Sequence, residues 1–228
     1  MRSDGAKKKE LIYETAMDLF REHGFEATTM RAIAKAAKIS LGSAYHYYPS
    51  KVAIVFDYYY RGQDHHEAAA DAAFEAAGGD VARRLTNLVR AKIDLIRGDR
   101  QLLGHIAAAV VTPGDALSAF APETRDIRER SIALFDRAVG GLNLGPHRRA
   151  ISVLLWVAHL GIMLYLVHDQ SENQTATDKL IASVAQQLTP LLMLANTPMA
   201  EPLIAGVTKT LSEAGLIPEG ENGLLESD

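Results

Sequence analysis

The sequence predicts an all-α protein, with an N-terminal three-helix domain and a larger C-terminal helical bundle. Apolar residues recur at helical spacing along most of the chain, and breaks rich in Gly and Pro separate the helical segments. No stretch shows the alternation of a β-strand, and there is no internal repeat. We expect a first domain at 1–50, a second at 51–218 and a flexible tail at 219–228.

Charge is distributed unevenly along the chain. The net charge is −4, but residues 1–51 hold nine Lys or Arg against six Asp or Glu, while residues 52–228 hold 15 against 22. A weakly basic first part on an acidic remainder is typical of a protein that touches nucleic acid with one end only. The acidic remainder favours cationic or neutral small ligands over anionic ones.

The sequence favours a cytoplasmic location. It contains no cysteine, which excludes disulfides and thiolate metal sites and suits a reducing compartment. The N-terminal segment MRSDGAKKKE is polar and basic and leads into an amphipathic helix at 5–23, without the apolar run of a signal peptide. Gly24 is expected to end that helix.

Residues 28–51, TTMRAIAKAAKISLGSAYHYYPSK, predict two short helices joined by a tight turn. Thr29 is a suitable N-cap for the first, and Ile33, Ala34 and Ala37 form its inner face. The turn is expected at 38–40, with Ser40 capping a second helix at 41–48.

The outer face of this second short helix is small, hydroxylated and aromatic, and it has no carboxylate. Such a face suits a recognition helix, because phosphates repel acidic side chains and the major groove admits only side chains that fit it. The candidate DNA-contacting residues are Thr29, Arg31, Ser40, Leu41, Gly42, Ser43, Ala44, Tyr45, His46, Tyr47 and Lys51.

This segment resembles the DNA-binding segment of the tetracycline-repressor (TetR) family of bacterial regulators. The matching pattern consists of Thr29, Ile33, Ala34, Ala37, Ile39, Ser40, Gly42, Tyr45, Tyr48 and Lys51. Two positions depart from it. Lys38 stands where the family usually has Gly, so a left-handed conformation costing roughly 1 kcal/mol is expected there. Val52 and Ala53 stand where the family usually has acids.

The resemblance implies a homodimeric repressor that binds a palindromic double-stranded operator and is released by a small hydrophobic effector. Thr29, Arg31 and Lys51 would then hold phosphates, while the small residues of the second helix would face the groove floor. Ala44 would pack against a thymine methyl group. Without Arg at 41–48, shape and backbone contacts are expected to carry much of the specificity.

Beyond the motif the chain is expected to be helical throughout. A long helix is predicted from 50 to about 77, and further helices at 81–97, 101–112, 117–139, 146–169, 176–196 and 199–214. Pro122 predicts a separate turn at 117–121, and Pro190 is expected to kink or divide its helix.

The most apolar stretch, 151–167, has the minimum length of a membrane span, but its central His159 and its context favour a helix buried on all sides. Such burial arises between a core and a partner subunit. The resemblance assigns 151–167 and 180–194 to a four-helix dimer interface.

Several residues are candidates for an effector site, which the resemblance places in the second domain. His105 lies among apolar residues and is either a satisfied core histidine or a polar anchor. Trp156, His159 and Met163 share one helical face and line either a pocket or the interface. Phe120 and Phe135 are candidates for the pocket wall.

The sequence favours neither an enzyme nor a metal protein, and it implies no cofactor. It contains no nucleophile motif, phosphate-binding glycine loop or metal-ligand triplet. His65 and His66 are adjacent, so they cannot share a helix face. The alternative that stays open is a regulator whose second domain only dimerises or docks a protein partner.

Overall fold

The protein is all-α, as predicted. The computed structural model describes residues 4–217, apart from the side chains of Gln101 and His105, and within that range it contains helices and no strand. The helices are α1 (Asp4–His23), α2 (Met30–Ala36), α3 (Leu41–Tyr47), α4 (Lys51–Ala77), α5 (Val81–Ile96), α6 (Arg100–Val111), α7 (Arg125–Ala138), α8 (Arg148–His168), α9 (Thr175–Met193) and α10 (Glu201–Glu213). The tail predicted at 219–228 lies outside the described residues.

The chain forms two compact units. The first unit contains the residues up to 64 together with Ile96–Arg128, and the second contains His65–Leu95 together with the chain from Glu129 onward. Helix α4 contributes residues to both. The domain boundary predicted at 50/51 falls at the start of α4 and stays a prediction, whereas the two compact units divide within α4.

The first unit is built on side chains that are completely buried. Ile12 and Phe20 from α1, Ile33 from α2, Ile54 from α4 and Ile106 from α6 belong to one apolar cluster. Each such side chain stabilises the folded state by about 1.5–3 kcal/mol through removal from water. This core fixes α2 and α3 against α1, because both short helices bury their inner faces in it.

The second unit has a separate apolar core. Leu88 from α5, Ile132 and Phe135 from α7, Val153 from α8 and Ile181 from α9 are almost entirely shielded from solvent. Phe135 therefore lies in the core of this unit.

Helix α8 carries the apolar stretch predicted at 151–167. Gly145–His168 is long and apolar enough to cross a membrane by length and composition, with a mean hydropathy of 2.2 in its most apolar window. Half of that window is buried within the protein, as in the core helix of a globular unit. In this single chain α8 is not buried on all sides, since Leu154, Val157 and Tyr165 remain exposed.

The two proline expectations have different outcomes. Pro122 begins a short 3-10 turn at Pro122–Thr124, and α7 starts only at Arg125. Residues 117–121 therefore lie outside the helix, as the position of Pro122 predicted. Pro190 does not divide its helix, because α9 continues through it and ends at Met193. Pro190 lies in the last turn, where the loss of one amide hydrogen bond does not interrupt a long helix.

Candidate nucleic-acid interface

Two side-chain caps define the starts of α2 and α3. The Thr29 hydroxyl oxygen accepts a hydrogen bond from the Ala32 amide at 3.1 Å, and the Ser40 hydroxyl oxygen accepts one from the Ser43 amide at 3.1 Å. Each cap satisfies one of the amide groups that the first turn of a helix leaves unpaired. Both hydroxyl hydrogens stay available to a further acceptor.

The turn between the two helices has the backbone conformation expected at Lys38. Lys38 has a φ of 56°, in the left-handed region, and its amide donates to the Lys35 carbonyl at 3.2 Å. The Ile39 amide donates to the Ala34 carbonyl at 3.0 Å, which closes the turn. Because a side chain in this region costs about 1–2 kcal/mol, the surrounding packing must supply that energy.

Helix α3 presents most of its candidate residues to solvent. Gly42, Tyr45 and His46 are exposed, and Leu41, Ser43 and Tyr47 are partly exposed. Tyr45 is 48% exposed although it is a large aromatic residue. Residues 27–56 contain no Asp or Glu, so neither α2, α3 nor the turn between them presents a carboxylate.

Ala44 is the predicted contact that the structure removes. Its side chain has no exposed surface and belongs to the core cluster of the first unit. The prediction that it packs against a thymine methyl group is therefore wrong. Ala44 and Tyr48 are both buried and stand four residues apart, a spacing that places them on one inward face and that is visible in the sequence.

Lys51 is the second predicted DNA contact whose role the structure changes. Its ammonium group donates to the carbonyl oxygens of Phe25 and Glu26 at 2.7 and 3.2 Å, and it lies 4.3 Å from the centre of the Phe25 ring. The Glu26 carboxylate is 3.7 Å away. The ammonium is thus engaged within the protein, where it holds the α1–α2 connection against the start of α4, instead of projecting toward a phosphate.

The exposed cations near α3 lie elsewhere. Arg31 and Lys35 are both exposed and stand four residues apart on α2, so they share one face, and Lys38 is exposed in the turn. Within residues 4–217 no ion pair is recorded for these three side chains. Lys35 and Lys38 were not among the predicted contacts, although their charge and their position beside Arg31 were visible in the sequence.

A charged network fixes the end of α3 to α4 and α1. The Tyr48 hydroxyl donates to the Asp57 carboxylate, and Arg61 pairs with Asp57 and, through two hydrogen bonds of 2.7 and 2.9 Å, with Glu10. The Arg61 guanidinium also lies 3.8 Å from the centre of the Tyr13 ring. Burial together with the Asp57 carboxylate raises the pKa of Tyr48, so its hydroxyl stays protonated as a donor.

The residues predicted for an effector site fall in different units. Phe120 belongs to the first unit and is 49% exposed, and the His105 side chain lies outside the described residues. In the second unit, Trp156 and His159 are buried on α8, and Met163 is partly exposed. His66, which the sequence did not single out as a site residue, packs its ring on that of His159 with centroids 6.0 Å apart.

Helices α2 and α3 are short, capped and joined by a tight turn, and α3 is exposed, free of acids and flanked by cations. This arrangement defines a helix-turn-helix DNA-binding domain. Residues 12–58 match the family model of bacterial regulatory proteins of the tetR family. Within these residues the chain is similar to the TetR family of bacterial regulators.

Known proteins resemble the chain in two ways. YuxN of Bacillus subtilis, an uncharacterized HTH-type transcriptional regulator, is 46% identical over 57 residues, which span 24% of this chain and only 20% of YuxN. Solved structures share the fold over most of the chain. FadR of Bacillus halodurans, a fatty acid degradation regulator, has a TM-score of 0.60 at 18% identity, over 81% of this chain and 96% of its own.

A second solved structure has a small molecule bound. FadR of Thermus thermophilus, a TetR-family repressor in complex with lauroyl-CoA, has a TM-score of 0.55 at 23% identity, over 82% of this chain and 94% of its own. At these identities the likeness extends to the fold alone.

Proposed function

We propose that this protein is a dimeric transcriptional repressor that binds a palindromic operator in the cytoplasm and is released from it by a small hydrophobic effector. The observation that carries the proposal is the outer face of α3, which is exposed, free of acids and oriented by the Ser40 cap. A short helix with these properties fits the major groove, where a carboxylate would meet the repulsion of the phosphates.

The contacts follow from exposure and chemistry. Gly42 is exposed, and a Cβ placed there would meet no protein atom within 4 Å, so the backbone of α3 is open to close approach by DNA. The hydroxyl groups of Thr29, Ser40 and Ser43 would donate to phosphates or base edges. Leu41, Tyr45, His46 and Tyr47 would supply apolar, stacking and polar contacts around them.

The electrostatic attraction would come from Arg31, Lys35 and Lys38. All three are exposed, and in the described part of the chain no carboxylate pairs with them. They are therefore free to replace the counterions condensed on DNA, which makes affinity strongly dependent on salt. Lys51 would contribute indirectly, by holding the α1–α2 connection in place.

Dimerisation would use the exposed faces of α8 and α9, which contact each other within one chain. Leu154, Val157 and Tyr165 are exposed at i, i+3 and i+11 along α8 and so share one face, and Leu191 and Leu194 are exposed near the end of α9. Apolar stripes of this kind are typical of helices that pair with a second subunit. Two copies would hold two copies of α3 at a fixed spacing, as a palindromic operator requires.

An effector would bind in the helical part beyond the DNA-binding segment. The candidates remain His105, Phe120, Trp156, His159 and Met163, and the neighbour solved with lauroyl-CoA gives an example of a small molecule bound to a repressor of this fold. The effector must have different affinities for the DNA-binding and released conformations, since a ligand that binds both equally shifts nothing.

The test is a selection from random duplex DNA with the full chain, followed by anisotropy measurements on the selected duplex. We expect an inverted repeat bound by two protomers, and release by a small apolar compound from a screened panel. A selected sequence without symmetry would contradict the dimeric operator. An operator that no compound releases would favour a second domain that only dimerises or docks a protein.

A further inference from the structure

The end of α3 is held by a buried hydroxyl group. Tyr48 directly follows α3, and its amide donates to the Ala44 carbonyl at 3.0 Å. Its ring lies in the apolar core of the first unit, where only 2% of the residue is exposed. The hydroxyl donates to the carboxylate of Asp57 on α4. Because α3 has only seven residues, about two turns, the Ser40 cap at its start and this bond at its end together define its orientation.

The Asp57 carboxylate connects the end of α3 to two other helices. Arg61, one turn later on α4, donates to it at 3.2 Å, and the Lys9 ammonium group from α1 lies 3.3 Å away. Arg61 in turn donates to the Glu10 carboxylate on α1 at 2.7 and 2.9 Å. The hydroxyl that ends α3 is therefore fixed relative to both α4 and α1.

The charges of this network cancel. Lys9 and Arg61 supply two positive charges, and Glu10 and Asp57 supply two negative ones. Burial acts to raise the pKa of Asp57, but the hydrogen bonds from Tyr48 and Arg61 and the two nearby positive charges outweigh it and lower the pKa. Asp57 thus stays ionised as an acceptor, while the network as a whole does not repel phosphates.

The packing of α3 does not depend on these polar groups. The Tyr48 ring, Ala44 and Ile54 already bury apolar surface in one cluster, and a buried ion pair adds little net stability over apolar residues of similar size. Hydrogen bonds add direction, because they weaken steeply away from a narrow range of distance and angle. Groups that read a ligand must be held to within about 0.5 Å and 10–20°, which requires hydrogen bonds behind the contacting residues.

We propose that Tyr48 and Asp57 are positioning residues for DNA recognition, and that the hydrogen bond between them sets the orientation of α3 and so its discrimination between the operator and other DNA. Neither residue contacts DNA, since Tyr48 is buried and phosphates repel the Asp57 carboxylate. Binding without sequence preference comes from exposed cations and does not depend on this bond. The inference rests on the regulator function proposed above.

Tyr48→Phe tests the proposal, because it removes the hydroxyl group and keeps the ring. The affinities of the full chain for the selected operator and for a scrambled duplex are measured by anisotropy, at temperatures where circular dichroism shows each variant folded. We expect the ratio of the two affinities to fall at least about fivefold, with the affinity for the scrambled duplex within about twofold of the wild type.

Tyr59→Phe is the matched control. It also removes a buried hydroxyl group from the first unit, but one for which the described part of the chain offers no hydrogen-bond partner. Its affinity ratio should stay at the wild-type value.

Asp57→Ala separates a positioning role from a structural one. The affinity ratio should fall as in Tyr48→Phe, whereas the affinity for the scrambled duplex should rise, because Lys9 and Arg61 lose a negative partner and become available to phosphates. A residue that only stabilises the fold would lower both affinities by the same factor, and that result would reject the positioning role.

The double variant tests the hydrogen bond itself. Since both changes remove the same interaction, the affinity ratio of the double variant should match that of the more affected single variant to within about twofold. Effects that multiply, or a wild-type ratio in folded Tyr48→Phe, would overturn the proposal. A wild-type protein that prefers no duplex would instead contradict the regulator function on which the proposal rests.

Discussion

The ammonium group of Lys51 donates a 2.7 Å hydrogen bond to the carbonyl oxygen of Phe25, 26 residues earlier in the chain. A second bond, to Glu26, and the Phe25 ring complete its surroundings. Lys51 therefore couples the start of α4 to the connection between α1 and α2, at the base of the helix-turn-helix.

Lys51→Ala should destabilise the first unit, because two charge-assisted hydrogen bonds are lost and two carbonyl groups return to water. We expect a loss of about 1–2 kcal/mol in the free energy of unfolding. Chemical denaturation measures it, with Lys7→Ala, an exposed lysine on α1, as the control that should change little. The slope of operator affinity against salt should stay at the wild-type value at temperatures where the variant is folded. A flatter slope would restore Lys51 as a phosphate contact.

Arg31→Ala should leave stability nearly unchanged and alter the salt dependence of operator binding, which is the reverse of what we expect for Lys51→Ala. Its side chain is exposed, so stability should change by less than about 0.5 kcal/mol. The slope of log affinity against log salt should fall by about 1 for each protomer, because one phosphate contact is lost. Lys209→Ala, on the exposed face of α10, is the matched control for removal of a positive charge. If the salt slope of Arg31→Ala equals that of Lys209→Ala, the phosphate contact of Arg31 is excluded.

Gly42→Ala should separate stability from DNA binding. The position is helical, and an added Cβ meets no protein atom within 4 Å, so the folded state should gain up to about 1 kcal/mol. Operator affinity should nevertheless fall, since the added methyl group occupies space that the DNA needs. Gly206→Ala, at an equally open helical position on α10, should leave affinity unchanged. Unaltered affinity in both variants would mean that DNA does not approach Gly42 closely.

Much of the DNA-binding segment was predictable from the sequence because its signals are local. The Thr29 and Ser40 caps depend on residues three positions away, and the positive φ of Lys38 follows from a turn position usually filled by glycine. Local patterns of this kind are readable without a tertiary structure. The inward spacing of Ala44 was equally local, and a strict count along the helix would have found it.

What the sequence could not provide is the pairing of distant side chains. The contact of Lys51 with the Phe25 carbonyl, and the stacking of His66 on His159, join residues from distant parts of the chain with no fixed spacing. Only the packing of the helices brings them together. For the same reason the predicted effector residues, chosen by spacing on single helices, fell in different units.

Val157→Asp should disrupt the proposed dimer. Val157 lies within the exposed stripe of α8, where a carboxylate would lose its water on association without gaining a partner. We expect dimerisation to weaken by at least about 2 kcal/mol, a factor of about 30 in the dissociation constant. Light scattering over a concentration series measures it. Leu95→Asp, at a similarly exposed position on α5, should stay dimeric, whereas a dimeric Val157→Asp would exclude this face.

The most direct test of the proposed function is the ratio of affinities for the selected operator and for a scrambled duplex, measured by anisotropy for the wild type and for Tyr45→Ala. Tyr45 is 48% exposed on α3, so its truncation should leave the fold intact. If α3 contacts the bases, the free-energy preference for the operator over the scrambled duplex should fall by about 1–3 kcal/mol. The affinity for the scrambled duplex itself should change much less. Tyr60→Ala, which removes an exposed tyrosine from α4, should keep the wild-type ratio. A ratio that stays at the wild-type value in folded Tyr45→Ala would contradict the assignment of α3 as the helix that recognises DNA.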